Sequence, residues 1–155
     1  MSTDAPDDFA AVMNEQLGGW NRAMGLRFVR ATKDEVVAEL EVGDTHLQPY
    51  GILHGGVHTG IIETVCSTGA AIAALADGRT VVGLENATSF LRAVRGGRLR
   101  VTAHPRARGR RSQVWEATVE DETGRAVATG RVRLLCLEAG SEIAGEKVQV
   151  KDAKA

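Results

Sequence analysis

The stretch QPYGILHGGVHTGIIETVCSTGAAIAALA, residues 48–76, joins a loop of turn-forming residues to the longest helical pattern in the chain. From Gly55 to Ala76, apolar side chains recur every three or four residues over two faces, which predicts a largely buried helix. Most of these side chains are small, as expected for a helix held closely by a curved sheet, although Gly69 costs about 1 kcal/mol relative to alanine. Gly78 is predicted to end the helix.

The sequence on both sides of this helix alternates between apolar and polar residues, which predicts strands. Upstream, residues 26–42 form a predicted hairpin that turns at Lys33 and Asp34. Downstream, four strands are predicted: Val81 to Val94, Arg98 to Arg108, Ser112 to Asp121, and Arg125 to Leu137. Their short, glycine-bearing connections leave no room for parallel crossovers. The predicted fold class is therefore α+β, with an antiparallel sheet of five to six strands around one long central helix.

The length of the chain, 155 residues with 43% hydrophobic content, is enough for one packed domain. We predict this domain over residues 25–138. Residues 1–24 are expected to form an acidic tail and a short amphipathic helix from Phe9 to Met24, weakened by Gly18 and Gly19. Residues 139–155 are expected to form a polar, mobile tail.

Composition narrows the class of protein further. The net charge of -1 gives no reason to expect that the whole surface binds a polyanion. Two cysteines cannot make the disulfide framework of a small secreted scaffold, and the N-terminus lacks the pattern of a signal peptide. The most apolar stretch, residues 57–76, is interrupted by polar side chains and does not resemble a membrane span. We expect a soluble, cytoplasmic protein.

The start of the long helix is a candidate anion-binding site. Backbone N–H groups in the first turn of a helix have no intrahelical acceptor, and they carry the positive end of the helix dipole. Gly55 and Gly56, which follow His54, would let a ligand oxygen approach those groups closely. The sequence therefore predicts an oxyanion site at this junction.

A polar stripe on the same helix is a candidate catalytic element. Thr59, Glu63 and Ser67 are spaced four residues apart and so share one side of an otherwise apolar helix. Burial of an unpaired carboxylate costs several kcal/mol or raises its pKa, so Glu63 is a candidate general base or nucleophile. The alternative is that Glu63 pairs with an arginine or faces solvent.

A family resemblance rests on the run from Gln48 to Gly56, on Glu63 and Ser67, and on the segment NATSFLR at residues 86–92. These residues resemble the hotdog-fold acyl-CoA thioesterases. More narrowly, they resemble the PaaI-like branch, which includes the type of 4-hydroxybenzoyl-CoA thioesterase with a glutamate on the central helix. The resemblance covers roughly Gly25 to Glu138. It implies a sheet wrapped around the helix, homodimers that often pair into tetramers, and active sites at the dimer interface.

The resemblance also implies a role for each matching residue. The Gly55 N–H would polarise the thioester carbonyl, and His54 would shape that turn. Glu63, supplied across the interface, would attack the carbonyl or activate water. Ser67 stands where the family commonly has a threonine that holds the water, and Gln48 matches a glutamine placed near the thioester. Coenzyme A would be part of the substrate, so no separate cofactor is expected.

A run of eight arginines and no acid lies between residues 92 and 111. Arginine binds phosphates in a bidentate manner, and coenzyme A carries its phosphates at the end remote from the thioester. We therefore predict that the run contains a docking patch for the nucleotide end of coenzyme A. The resemblance implies contacts for Arg92, which matches a family position, and less directly for Arg110 and Arg111. The alternative is that the arginines are solvated or paired with acids. Nucleic acid is a weaker candidate partner because the run contains few aromatic residues.

Other residues have ordinary structural explanations. His54 and His58 are four residues apart, but no further ligand pattern accompanies them, so no metal site is predicted. Cys66 is expected to be a small core residue. Aromatic side chains that could line an acyl pocket, or simply belong to the core, are Trp20, Tyr50 and Phe90.

The predicted function is hydrolysis of an aromatic or short-to-medium acyl-CoA to the free acid and coenzyme A. Two alternatives remain at this point. One is a non-catalytic module that binds acyl-CoA. The other is hydration of an enoyl-CoA, for which Asp44 and His46 would supply the acid and histidine of the loop before the helix.

Overall fold

The long central helix forms as predicted and runs over Gly55–Leu75 (α3) in the computed structural model, which describes residues 7–149. The first residues of the predicted acidic tail, 1–6, and the end of the C-terminal tail, 150–155, lie outside the described residues. Two short helices precede α3, namely Ala10–Glu15 (α1) and Gly19–Met24 (α2). A single 3-10 turn, Asp44–His46, lies in the loop before α3.

Six strands form one antiparallel sheet around α3, in the spatial order β1-β2-β4-β5-β6-β3. This arrangement confirms the predicted α+β class and the upper strand number. The strands are Arg27–Ala31 (β1), Val36–Val42 (β2), Thr80–Phe90 (β3), Gly97–Arg108 (β4), Ser112–Glu120 (β5) and Ala126–Leu137 (β6). A short hairpin, Glu142–Ile143 (β7) and Glu146–Lys147 (β8), follows the sheet within the segment predicted as a polar tail.

The third strand ends earlier than predicted, at Phe90 rather than Val94. The N–H groups of Leu91 and Arg92 both donate to the carbonyl of Val127, at 2.8 and 3.2 Å, so the register with β6 is lost there. The Val94 carbonyl instead accepts from the N–H of Leu53, at 2.7 Å. This bond ties the segment after β3 to the loop that enters α3.

Glycines on α3 and on the sheet let the sheet approach α3 closely. A Cβ on Gly69 would lie 2.4 Å from the ring of Trp115, a fully buried residue of β5. A Cβ on Gly130 of β6 would lie 2.9 Å from a methyl group of Ile62. The small residues predicted on α3 therefore have a packing role, because a larger side chain would force the helix and sheet apart.

The prediction of one helix between Phe9 and Met24 is wrong, because this segment forms the two short helices α1 and α2. Gly18 is extended and Gly19 has a φ of +53°, a left-handed conformation that interrupts the helical path. The second helix, α2, then lays Trp20 across Gly60, whose added Cβ would lie 2.4 Å from the indole. Within residues 7–149 no helix is long and apolar enough to cross a membrane.

Gly69→Ala is predicted to lower the free energy of unfolding by about 1–2 kcal/mol, because overpacking against a buried indole outweighs the gain in helix propensity of about 1 kcal/mol. Gly60→Ala is the matched control: its Cβ also meets a tryptophan, but Trp20 is 41% exposed and can move aside. Urea unfolding of both variants checks this. Equal destabilisation would show that burial of Trp115 is not the cause.

Candidate active site

The N-terminus of α3 presents one backbone N–H without an acceptor. His54 caps the helix in an extended conformation, with φ -66° and ψ 132°, and its Nδ1 accepts from the Gly56 N–H at 2.8 Å. The Val57 N–H donates to the His54 carbonyl at 2.9 Å. Within the described chain the Gly55 N–H has no hydrogen-bond acceptor, so it is available to a ligand oxygen at the positive end of the helix dipole.

The absence of a side chain at Gly55 is required by its neighbour. A Cβ at this position would lie 2.8 Å from Cζ of Phe90, the last residue of β3. Gly55 and Phe90 belong to the wall of a cavity of about 350 Å³. Polar or charged side chains that also line this cavity are those of Gln48, His58 and Arg92. The unpaired N–H and these side chains thus border one ligand-sized space.

Gln48 is held in a tight turn beside the cavity. Its side-chain Oε1 accepts from the Tyr50 N–H at 2.9 Å, and its backbone carbonyl accepts from the Gly51 N–H at 2.8 Å. Gly51 adopts a φ of +70°, which explains the glycine at that position. Within residues 7–149 the amide nitrogen of Gln48 has no partner, so this donor is available to the cavity.

The Glu63 carboxylate is half-buried and is held by neutral donors. Ser67 Oγ donates to Oε1 at 3.1 Å, across one turn of the helix. Asn86 Nδ2, from β3, donates to Oε2 at 3.0 Å and to the Thr59 carbonyl at 3.1 Å. Among the described residues no lysine, arginine or histidine pairs with this carboxylate, so the alternative of an ion pair with an arginine does not apply.

Two residues of β3 that sequence reasoning did not assign complete this environment. Asn86 was part of the family resemblance without a role, and its amide is in turn oriented by Thr88, whose Oγ1 donates to Oδ1 at 2.7 Å. Gly83 makes room for the carboxylate, since a Cβ there would lie 2.5 Å from Glu63 Oε1. The available signals were an asparagine and a glycine inside a strand, where both are depleted.

The two parts of the site lie far apart within one protomer. Eight residues of helix separate Gly55 from Glu63, which corresponds to about 12 Å along the axis. The Gly55 N–H and the Glu63 carboxylate of one protomer are therefore too far apart to contact the same small group.

An apolar cavity of about 440 Å³ borders the Glu63 end of the site. Ser67 belongs to its wall, and its apolar lining comes from the N-terminal helices, α3 and the strands, including Phe9, Met13, Leu17, Phe28, Ile72 and Val81. The three aromatic residues predicted to line an acyl pocket lie in different places. Phe90 lines the cavity of about 350 Å³ at Gly55, Trp20 packs on Gly60, and Tyr50 is 84% exposed.

The arginines predicted to contact coenzyme A do not cluster within one protomer. Arg92 lines the Gly55 cavity and donates to the Ala126 carbonyl at 2.6 Å. Arg110 and Arg111 lie in the β4–β5 turn, where Arg110 lines a cavity with Ala73 and Ala74 at the opposite end of α3. That end is about 30 Å from Gly55, given the 21 residues of the helix.

Half of the eight arginines between residues 92 and 111 pair with acids, as the alternative interpretation held. Their partners are Glu39 for Arg98 and Arg100, Glu116 for Arg106, and Asp34 for Arg108. The pairs of Arg106 and Arg108 are exposed and contribute little to stability, whereas the Glu39 side chain that pairs with Arg98 and Arg100 is mostly buried. The run is therefore only in part a free cationic surface.

Two other candidate groups, His46 and Cys66, are buried and have structural roles. His46 is buried: its Nδ1 accepts from the Gly43 N–H at 2.8 Å, and its Nε2 donates to the Met24 carbonyl at 2.9 Å. Cys66 is fully buried, and burial raises the pKa of its thiol, which keeps it protonated and unreactive. Among residues 7–149 no group of three or more metal-binding side chains converges.

Comparison with known proteins agrees with this architecture. A family-wide sequence model described as "Thioesterase superfamily" matches residues 50–128. Rv1847 of Mycobacterium tuberculosis is 44% identical over 119 residues, which is 75% of this chain and 84% of that protein. The proofreading thioesterase EntH of Cronobacter turicensis is 38% identical over 109 residues, covering 70% of this chain and 79% of EntH.

A solved structure shows the same fold. The crystal structure of the thioesterase HI1161 from Haemophilus influenzae superposes with a TM-score of 0.76 at 28% identity, covering 88% of this chain and 93% of that one. Three findings lead to the same assignment: the order of strands around one central helix, the family match over more than half of the chain, and the sequence identity with relatives. The chain belongs to the thioesterase superfamily and has the hotdog fold.

Proposed function

We propose that this protein is an acyl-CoA thioesterase. The observation that carries the proposal is the Glu63 carboxylate, which is half-buried and held by the hydroxyl of Ser67 and the amide of Asn86. No cation among residues 7–149 neutralises it. Neutral donors orient a carboxylate while leaving its charge available for chemistry, which a structural ion pair would not do. EntH and HI1161, both named thioesterases, support the reaction class.

The chemistry needs stabilisation of the carbonyl oxygen and a route for oxygen to reach the carbonyl carbon. The Gly55 N–H donates to the carbonyl oxygen as negative charge develops there, and the amide of Gln48 lies in the same cavity. Glu63 either attacks the carbonyl carbon, with water later releasing the acyl group, or takes a proton from an attacking water. In both routes the carbon–sulfur bond breaks, and the products are a carboxylic acid and a thiol.

A second copy of the chain completes the site. Within residues 7–149 the β3 strand pairs with β6 on one side only. It presents its other edge, together with the exposed side chains of Leu84, Phe90 and Leu91. An unpaired apolar edge favours pairing with an identical edge, which produces a two-fold dimer. In that dimer Gly55 of one protomer and Glu63 of its partner form each active site. A dimer of two such dimers is the proposed assembly.

The acyl group is proposed to enter the apolar cavity beside Ser67. Its volume of about 440 Å³ and its mainly apolar wall suit an aromatic or short-to-medium acyl group. We propose that the chain belongs to the PaaI-like branch and that its chemistry is like that of the 4-hydroxybenzoyl-CoA thioesterase type with a glutamate on the central helix. Coenzyme A leaves the site past Arg92, whereas Arg110 and Arg111 can contact it only from another protomer. A cytoplasmic location accords with a coenzyme A substrate.

Hydration of an enoyl-CoA is a weaker candidate. Both ring nitrogens of His46 are engaged by backbone groups, so this histidine has no free nitrogen for acid–base chemistry. A module that binds acyl-CoA without turnover would not need an available carboxylate.

Glu63→Gln is predicted to lower kcat at least a hundredfold, because it keeps the shape of the side chain but removes its charge. Release of free thiol should be followed across aromatic, short, medium and long acyl-CoAs. Glu85→Gln, which neutralises an exposed carboxylate on β3, is the matched control. Turnover that survives in Glu63→Gln contradicts the role of the carboxylate, and binding without turnover in the wild type identifies a non-catalytic module.

Gly55→Pro is predicted to lower kcat by about a hundredfold to a thousandfold, because it removes the N–H that stabilises the oxyanion. Proline fits the first helical position, and the φ of -66° and ψ of 132° at His54 suit a residue before proline. Gly55→Ala keeps the N–H and adds a Cβ, so it measures the steric effect on Phe90 separately. Equal losses in both variants would refute the oxyanion role.

Mixing the two inactive variants tests the shared site. Dimers re-formed from equal amounts of Glu63→Gln and Gly55→Pro chains are predicted to recover up to about a quarter of wild-type activity, because half of them carry one intact site out of two. Size-exclusion chromatography should confirm re-association. Lack of recovery in re-associated dimers would place both groups of each site on one protomer.

A further inference from the structure

His58 is a buried histidine without a structural role that explains it. The residue is 3% exposed on the second turn of α3, and its Nδ1 is the one buried side-chain polar atom without a hydrogen bond in residues 7–149. Leaving such an atom unpaired costs about 1–3 kcal/mol, and the large majority of buried polar groups avoid it. The ring packs on Phe90 with a centroid distance of 5.9 Å, a contact that an apolar side chain could also make.

The position of His58 ties it to the proposed reaction. It lines the same cavity as Gly55, and it lies three residues further along the same face of α3, about 4.5 Å along the axis. A ligand whose carbonyl oxygen accepts from the Gly55 N–H therefore extends past the imidazole. Arg92 lies on the wall of that cavity as well, and its guanidinium suits a phosphate-bearing end of a ligand.

The electrostatic state of the ring limits what it can recognise. Burial lowers the pKa of His58 to about 4, so the imidazole is neutral at physiological pH. Among the described residues, Arg92 is the charged side chain that lines the same cavity. A neutral imidazole offers one donor and one acceptor. Its matching ligand group is a neutral amide or hydroxyl rather than a phosphate or carboxylate.

We propose that His58 is a specificity-determining residue that hydrogen-bonds the amide nearest the sulfur in the pantetheine arm of the substrate. This proposal rests on the proposed thioesterase function. With the carbonyl oxygen at Gly55 of one protomer and the acyl group in the apolar cavity beside the partner's Ser67, the arm runs from the sulfur through the cavity that Gly55 and His58 line, towards Arg92. The first polar group along the arm is that amide. A hydrogen bond to that amide would give the buried imidazole a polar partner.

The test compares two thioesters with the same acyl group. One is the N-acetylcysteamine thioester, which keeps the amide, and the other is the butanethiol thioester, which lacks it. The wild type is expected to prefer the first in kcat/KM, and His58→Phe is expected to reduce that preference about tenfold, the equivalent of one hydrogen bond. His58→Gln, which retains a donor and an acceptor, should keep part of the preference. His104→Phe, an exposed histidine of β4, is the matched control.

The ratio separates recognition from stability, because a purely structural role would lower both rates equally. An unchanged ratio in folded His58→Phe, or no preference in the wild type, overturns the proposal. His58→Met provides a second apolar variant if the phenylalanine does not fold. If the wild type hydrolyses neither these two thioesters nor the corresponding acyl-CoA, the proposed function fails. The His58 proposal is then decided by binding. The dissociation constants of the S-(2-oxopentyl) thioethers of the same two thiols, which cannot be hydrolysed, are compared in the wild type and His58→Phe.

Discussion

The close approach of the curved sheet to α3 is the constraint on which the rest of the structure depends. Gly69 admits the indole of Trp115, and the indole Nε1 donates to Gln113, whose amide bonds the Ala70 carbonyl of α3. The helix is thereby fixed against β5 in both depth and rotation. That placement brings Glu63 within hydrogen-bonding distance of Asn86 on β3, so the core packing also positions the proposed catalytic carboxylate.

Much of the fold follows from local patterns in the sequence. Strands β4, β5 and β6 begin and end within one residue of the positions predicted from apolar alternation, and α3 begins at the predicted glycine. The errors occur where distant contacts or unusual backbone angles take over. The end of β3 is set by the Val127 carbonyl and by Leu53, and the break between α1 and α2 depends on the conformation of Gly19.

The same holds for the candidate site: its features that depend on local sequence spacing were predictable, and those that depend on distant contacts were not. The pairing of Ser67 with Glu63 follows from helical spacing, and the open N–H at Gly55 follows from the geometry of a helix start. The contribution of Asn86 comes from a strand 23 residues away in sequence, and Gly83 matters only because the carboxylate lies against it. The orphaned nitrogen of His58 likewise depends on its three-dimensional surroundings, which spacing does not encode.

The separation of Gly55 and Glu63 along α3 has a consequence for how activity is governed. If each reaction requires one group from each of two copies, an isolated chain is catalytically silent however well it folds. Specific activity then depends on total protein concentration, falling on dilution below the dissociation constant of the dimer. Under that requirement a newly made chain would hydrolyse nothing until it paired with a second copy, and the monomer–dimer equilibrium would then control the proposed activity.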